Sequence, residues 1–91
     1  MSLTQAEAVA QARADLAKRL GVTAGDITEA VEAADFPNGA LGAPLKGEMS
    51  MQMITSGWRI KLSAAGHTYE YRTDLQQLRL YKFKGANFRI S

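Results

Sequence analysis

Two stretches of alternating residues, 57–62 and 67–74, constrain the fold of this chain more than any other feature of its sequence. Because successive side chains of a β-strand point to opposite faces, alternate apolar residues indicate a strand with one buried face. In the first stretch these residues are Trp58, Ile60 and Leu62, and in the second they are Tyr69 and Tyr71. We therefore predict a hairpin that turns at 64–67 and whose apolar face requires a cover.

Residues 4–20 have the pattern of a helix that supplies this cover. Thr4 and Glu7 have the spacing of a capping box, in which each side chain accepts a hydrogen bond from the backbone N–H of the other residue. Apolar residues then recur at steps of three and four positions. Gly21 is suited to the left-handed backbone that ends many helices. We predict that this helix packs across the sheet.

Residues 27–36 are compatible with two structures. Their alternation favours an edge strand, whereas their alanine and glutamate content, with Asp26 as an N-cap, favours a short helix. We predict a strand over 27–34. The complete prediction is an α+β fold, a single domain over 1–91, with one N-terminal helix packed on an antiparallel four- to five-stranded meander sheet. The predicted strands are 27–34, 49–54, 58–63, 67–72 and 78–84, with 88–90 as a further short strand or a docked tail.

Two groups of large apolar residues are predicted to belong to the core. Trp58 is expected to anchor the contact between helix and sheet. Three methionines alternate with polar residues over 49–53, and we predict that they fill the core, with an adaptable binding surface as the alternative. They are Met49, Met51 and Met53.

Charge divides the chain into two halves. Residues 1–50 carry four basic and seven acidic residues, whereas residues 51–91 carry seven basic and two acidic residues. A basic sheet of this kind attracts an acidic partner or complements the acidic half of the same molecule.

Residues for catalysis are scarce, so we predict that the protein is not an enzyme and has no cofactor. The only histidine, His67, falls in the predicted hairpin turn, where we expect a solvated side chain. Without cysteine and with acidic residues spread singly, the chain offers no recognisable metal site. Residues 42–47 have the glycine spacing of a phosphate loop, but Glu48 and Met49 follow in place of the required lysine and hydroxyl.

Two surfaces are candidates for binding. The Gly/Pro-rich segment 37–47 lacks any period and is predicted to be an ordered loop that contacts a protein partner. Its candidate residues are Pro37, Asn38, Leu41, Pro44, Leu45 and Lys46. The alternative is a basic aromatic sheet face that binds single-stranded nucleic acid or forms a homodimer seam. Its residues are Arg59, Lys61, Arg72, Tyr81 and Phe83.

Several segments resemble a group of small, functionally uncharacterised bacterial domains. The shared patterns are LA..LGV at 16–22, an aromatic-proline loop ending LG.P at 36–44, and G(Y/W)RI.L…G..Y.Y(H/R)TD at 57–74. Ala43 stands where many relatives have cysteine, and Arg72 where many have histidine. One helix followed by a meander is also similar to PepSY and cystatin-like domains, which implies binding or inhibition of a peptidase. The Asp-x-x-x-Gly hairpin typical of PepSY is not found in this sequence.

The first residues lack the basic and apolar regions of a signal peptide, and no stretch is long enough to cross a bilayer. We expect a cytoplasmic protein without a membrane partner, unless a leader peptide has been removed.

Overall fold

The computed structural model describes residues 3–91. Within this range the elements follow in the order α1 Gln5–Leu20, a 3-10 turn Ala24–Asp26, β1 Thr28–Phe36, β2 Thr55–Ala64, β3 His67–Thr73, β4 Leu78–Phe83 and β5 Ala86–Arg89. The strands form one antiparallel five-stranded sheet in the order β1-β2-β3-β4-β5. The predicted α+β meander is therefore confirmed.

Helix α1 begins and ends at the predicted residues. The Thr4 backbone N–H donates to Glu7 Oε1 at 3.0 Å, and the Glu7 N–H donates to Thr4 Oγ1 at 3.1 Å. Gly21 caps the other end with φ 68°. Caps of this kind stabilise a helix by about 1 kcal/mol because they satisfy N–H and C=O groups that lack helical partners.

The strand boundaries differ from the prediction at one segment. Strand β1 confirms that 27–34 is extended rather than helical, since it pairs with β2 from Thr28 to Phe36. The strand predicted over 49–54 is wrong, because these residues are not part of the sheet and β2 begins at Thr55. The fifth strand is instead β5. Alternation reports which side chains share a face, but it does not report whether a partner strand lies alongside.

Gly57 explains why the long strand β2 passes so close to the end of β3. A Cβ atom at this position would overlap the Thr73 carbonyl oxygen. A glycine inside a strand often marks such a close approach of two backbones. The sequence prediction began this strand at residue 58, whereas residues 55–57 also belong to it.

Helix α1 covers one face of the sheet, which we call the helix face. The core on this face consists of small and branched residues from α1 packed on β2, β3 and β4. Its fully buried members are Ala8, Ala12, Leu16, Ile60, Leu62, Tyr71, Leu78 and Leu80. The Tyr71 hydroxyl donates to Asp15 Oδ2 at 2.7 Å, so a polar bond adds to the apolar contact between α1 and the sheet. Burial, together with the Asp15 hydrogen bond, raises the pKa of Tyr71 well above its ordinary value.

The prediction that Trp58 anchors this core is wrong. Trp58 is half-buried and lies outside the core cluster, in register between Ala33 of the edge strand and Thr73. The alanine offers little area for an indole ring to contact, and Tyr71 is the large aromatic residue at the centre instead.

The predicted orientation of Phe83 is also wrong. The register between β4 and β5 shifts between Leu80 and Phe83, and Lys82 takes φ 47°. Such a bulge reverses the faces to which the following side chains point. Phe83 therefore joins the helix-face core, with its ring centre 5.8 Å from that of Tyr69 and 6.2 Å from that of Phe88.

Candidate binding surface

The 37–48 loop covers part of the opposite face of the sheet, which we call the loop face. Leu41 is fully buried, and the alanines on either side of it are almost fully buried. Side chains of the sheet and of the turn between β3 and β4 donate to carbonyl oxygens along the loop. These bonds are Gln77 to Gly39 at 2.7 Å, Arg72 to Leu41 at 3.0 Å, Arg79 to Ala43 at 3.2 Å and Asn87 to Pro44 at 2.9 Å. The loop is thus attached mainly by hydrogen bonds from the strands beneath it.

An ion pair fixes the C-terminal end of this loop. Arg79 is only 2% exposed, and its guanidinium donates to both Glu48 carboxylate oxygens, at 2.5 Å and 2.7 Å. The Arg79 Nε donates to Gln77 Oε1 at 2.7 Å, and the Leu45 N–H donates to Glu48 Oε1 at 3.0 Å. Bidentate pairs of this type combine strength with a defined geometry.

Glu48 is ionised under all ordinary conditions because of these contacts. The hydrogen bonds from Arg79, followed by that from Leu45, lower the pKa of Glu48 to about 2. The charge of Arg89 contributes a smaller lowering, which places a second guanidinium near the pair.

The candidate residues of the loop are divided between its inside and its outside. Leu41 is buried, Leu45 is half-buried, and Asn38 Oδ1 accepts the N–H groups of Ala40 and Gly42 at 3.0 Å each. These three therefore hold the loop in place. Its exposed candidates are Pro37, Pro44 and Lys46.

The basic aromatic face is not assembled as predicted. Arg59 contacts Glu32 and Glu70 at 3.2 Å and 3.1 Å, and Lys61 lies 3.7 Å from Glu32. Because Glu32 belongs to the acidic half, these pairs confirm that the two halves of the chain complement each other.

The remaining residues of that face are also engaged. Arg72 contacts Glu70 at 2.6 Å and lies 3.6 Å from the centre of the Tyr81 ring, which is half-buried. Phe83 lies on the helix face. No open row of cations and rings is therefore formed by the five predicted residues.

The prediction that the methionines fill the core is wrong. Met49, Met51 and Met53 are 96%, 70% and 51% exposed, and the next residue, Ile54, is 71% exposed. We call the three methionines the methionine row. A backbone bond from Gly39 N–H to the Met51 carbonyl oxygen, at 2.8 Å, joins the row to the start of the loop.

The methionine row forms one wall of an open groove of about 340 Å³. Polar residues from the loop and from the end of the sheet form the remainder. They are Gly39, Glu48, Ser50, Gln76, Gln77, Arg79 and Arg89. Leu75, next in sequence to one of these residues, is 55% exposed. Flexible thioethers beside a few convergent polar groups are typical of adaptable binding surfaces.

The sequence contains a signal for this surface, although the same signal is also compatible with core filling, which is what we predict from the sequence. Three methionines alternate with serine and glutamine directly after a Gly/Pro-rich loop. The buried Arg79 lies between two leucines of β4, and only its pairing with Glu48, distant in sequence, distinguishes it from a solvated arginine.

Residues 3–91 contain neither a cluster of potential metal ligands nor a helix that could span a membrane. No group of three or more His, Asp or Glu side chains in that range is positioned to share a metal ion. Across the same residues, no helix has the length and apolar character needed to span a bilayer. His67 is exposed at the start of β3, after a turn that lies at the predicted position and in which Ala65 and Gly66 both have positive φ.

Comparison with known proteins yields a family without an assigned activity. Neither the curated proteins nor the solved structures contain a match to this chain. A family model described as a domain of unknown function (DUF8738) matches residues 9–81, from the middle of α1 into β4. Because this match covers most of the chain, the protein belongs to the DUF8738 family.

Proposed function

We propose that this protein is a non-catalytic binding module that contacts a protein partner through the methionine row and the groove beside it. The observation that carries this proposal is the exposure of four successive large apolar positions, Met49, Met51, Met53 and Ile54, on a chain of only 91 residues. Contiguous exposed apolar residues bordered by polar ones are typical of interaction sites.

The energy available from this surface supports a specific contact. Full burial of a methionine side chain contributes about 1.5–3 kcal/mol, so the three side chains of the row offer at most about 4.5–9 kcal/mol before the costs of association. The backbone around the row is fixed by the Glu48 and Arg79 pair on one side and by β2 on the other. A surface that is already ordered loses less conformational entropy when it binds.

This proposal moves the contact away from the centre of the 37–47 loop. Inhibitors that act through a loop insert an exposed segment into the cleft of a peptidase. Here Leu41 is buried, and the loop is fastened across the sheet at four carbonyl groups. The loop supports the methionine row, and its own contact with a partner is limited to Pro37, Pro44 and Lys46.

The test is affinity capture from a lysate of the source organism with three baits. They are the wild type, the triple variant Met49→Ser/Met51→Ser/Met53→Ser, and the matched variant in which the same positions are leucine. We expect a partner that the wild type and the leucine variant recover equally and the serine variant recovers at least tenfold less. Recovery that is equal with all three baits would exclude the row as the contact.

The same capture separates this proposal from nucleic-acid binding. Apolar contacts are little affected by salt, whereas a protein with several phosphate contacts loses roughly 10³-fold in affinity between about 50 mM and 200 mM salt. We expect the recovery to persist at the higher salt. Recovery that requires low salt and is abolished by nuclease would favour a nucleic-acid partner instead.

A further inference from the structure

The lining of the groove beside the methionine row has one more guanidinium group than it has side-chain carboxylates. The two guanidinium groups are those of Arg79 and Arg89, and the carboxylate is that of Glu48. Both carboxylate oxygens of Glu48 already accept hydrogen bonds from Arg79, and one of them also accepts the Leu45 N–H. Among residues 3–91 no side-chain carboxylate forms an ion pair with Arg89, whose Nε donates to a main-chain oxygen of Ser91 at 3.2 Å.

The rest of the lining is apolar or neutral. Three thioethers face two glutamines, of which Gln77 is already bonded to Gly39 and Arg79. Gln76 uses only its backbone N–H, in a bond to Asp74. Among the described residues, the groove thus combines an adaptable apolar wall with one side-chain amide that makes no hydrogen bond and one guanidinium that has no side-chain carboxylate partner.

From this combination we infer the class of partner. Resting on the proposed function, we propose that the groove takes an extended peptide segment of a partner protein, in which apolar residues flank an aspartate or glutamate that pairs with Arg89. The apolar residues pack on the methionine row. A basic segment would bring like charges together, and a purely apolar one would bury the Arg89 charge without a partner.

Fluorescence anisotropy with defined peptides tests this inference on the intact protein. The probe is fluorescein-labelled Gly-Ser-Leu-Leu-Glu-Leu-Ser-Gly, and the comparison peptides carry glutamine or lysine in place of the glutamate. Each is titrated with the wild type, with Arg89→Gln, and with the matched control Lys18→Gln. Lys18 is an exposed helix residue that also forms no ion pair in the described chain, and α1 packs on the opposite face of the sheet.

We expect the glutamate peptide to bind about fivefold more tightly than the glutamine peptide, because a partly exposed ion pair contributes about 1 kcal/mol. Arg89→Gln should remove this difference, whereas Lys18→Gln should preserve it. The lysine peptide should bind most weakly.

The peptide-binding results that would overturn this inference can be distinguished from results that would overturn the proposed function. If glutamate and glutamine peptides bind equally, or if neither binds, the inferred partner class is overturned. The proposed function is judged separately by the affinity capture, in which only the methionine row is changed. Loss of the glutamate preference in Lys18→Gln as well as in Arg89→Gln would also overturn the inference, since the preference would then reflect net charge alone.

Discussion

The two faces of the sheet are covered in physically different ways. On the helix face, α1 contributes Ala8, Ala12 and Leu16 to a continuous apolar core. On the loop face, the 37–48 loop is fastened by hydrogen bonds from Arg72, Gln77, Arg79 and Asn87 to its backbone carbonyl groups. Apolar packing depends on total buried area and tolerates small shifts, whereas hydrogen bonds require defined atoms at defined distances. The loop face is therefore the face on which one substitution can release a whole segment.

Arg79→Ala should have the largest effect among the changes that test this comparison. It removes the hydrogen bonds of Arg79 to the Ala43 carbonyl group and to the Glu48 carboxylate, which keeps only the Leu45 N–H as a donor, and removal of one partner from a buried ion pair costs about 3–5 kcal/mol. We expect the free energy of unfolding, measured in urea, to fall by that amount. We also expect limited proteolysis to cleave within the 37–54 segment first.

Leu62→Ala on the helix face is the matched comparison, with an expected cost of about 2–5 kcal/mol from the cavity it leaves. Its proteolysis should show no preference for 37–54, because the loss affects the whole core. If both variants were cleaved at the same places, the two faces would not differ in the way described above.

Acid should loosen the loop face selectively, with a smaller effect. Because the folded-state pKa of Glu48 is lowered to about 2, its contribution to stability is complete above the unfolded-state value near 4.3 and is lost as the pH falls through 2. We expect the wild type to lose about 2 kcal/mol more than Glu48→Gln between pH 5 and pH 2. Urea unfolding at several pH values measures this difference, and parallel profiles for the two proteins would contradict it.

Tyr71→Phe tests a polar bond between α1 and the centre of the sheet. Helix α1 is also joined to β1 by the ion pair of Arg13 with Glu29. The hydroxyl of Tyr71 donates to Asp15 at 2.7 Å, and its loss should cost about 1 kcal/mol in thermal or urea unfolding. Asp15 keeps its contact with Arg19, also at 2.7 Å, so the carboxylate is not left without a donor. Tyr69→Phe is the control, with an expected change below about 0.5 kcal/mol. A cost above 3 kcal/mol for Tyr71→Phe would mean that hydrogen bonding dominates the helix face too.

The smallest effect on stability is expected at the methionine row. Replacement of Met49, Met51 and Met53 by serine removes side chains that are at least half exposed, so the free energy of unfolding should change by no more than about 0.5 kcal/mol. A loss of 2 kcal/mol or more would show that the row supports the fold rather than a contact with a partner.

The helix face was largely predictable from the sequence because its signals are local. The capping box at Thr4 and Glu7, the positive φ at Gly21 and the alternation in β2 and β3 each depend on residues within a few positions of one another. Phe83 was misplaced because the bulge at Lys82 has no glycine or asparagine to mark it. Trp58 was misplaced because its neighbour across the sheet, Ala33, became known only with the register.

The loop face was largely unpredictable for a complementary reason. The contacts that hold it join residues more than thirty positions apart, such as Arg79 with Glu48 and Arg72 with Leu41. Periodicity in one strand carries no information about such partners. The candidate residues Pro37, Pro44 and Lys46 are exposed, but the larger exposed surface begins only after the loop, at Met49.

The span 49–54 is held at both ends yet contributes little to what holds the molecule together. Glu48 before it is locked to Arg79, and Thr55 after it enters β2. Such a span is suited to the grafting of a foreign epitope of equal length, which would be displayed between two fixed ends. The residues of the epitope could be exchanged while the structure of the scaffold stays the same.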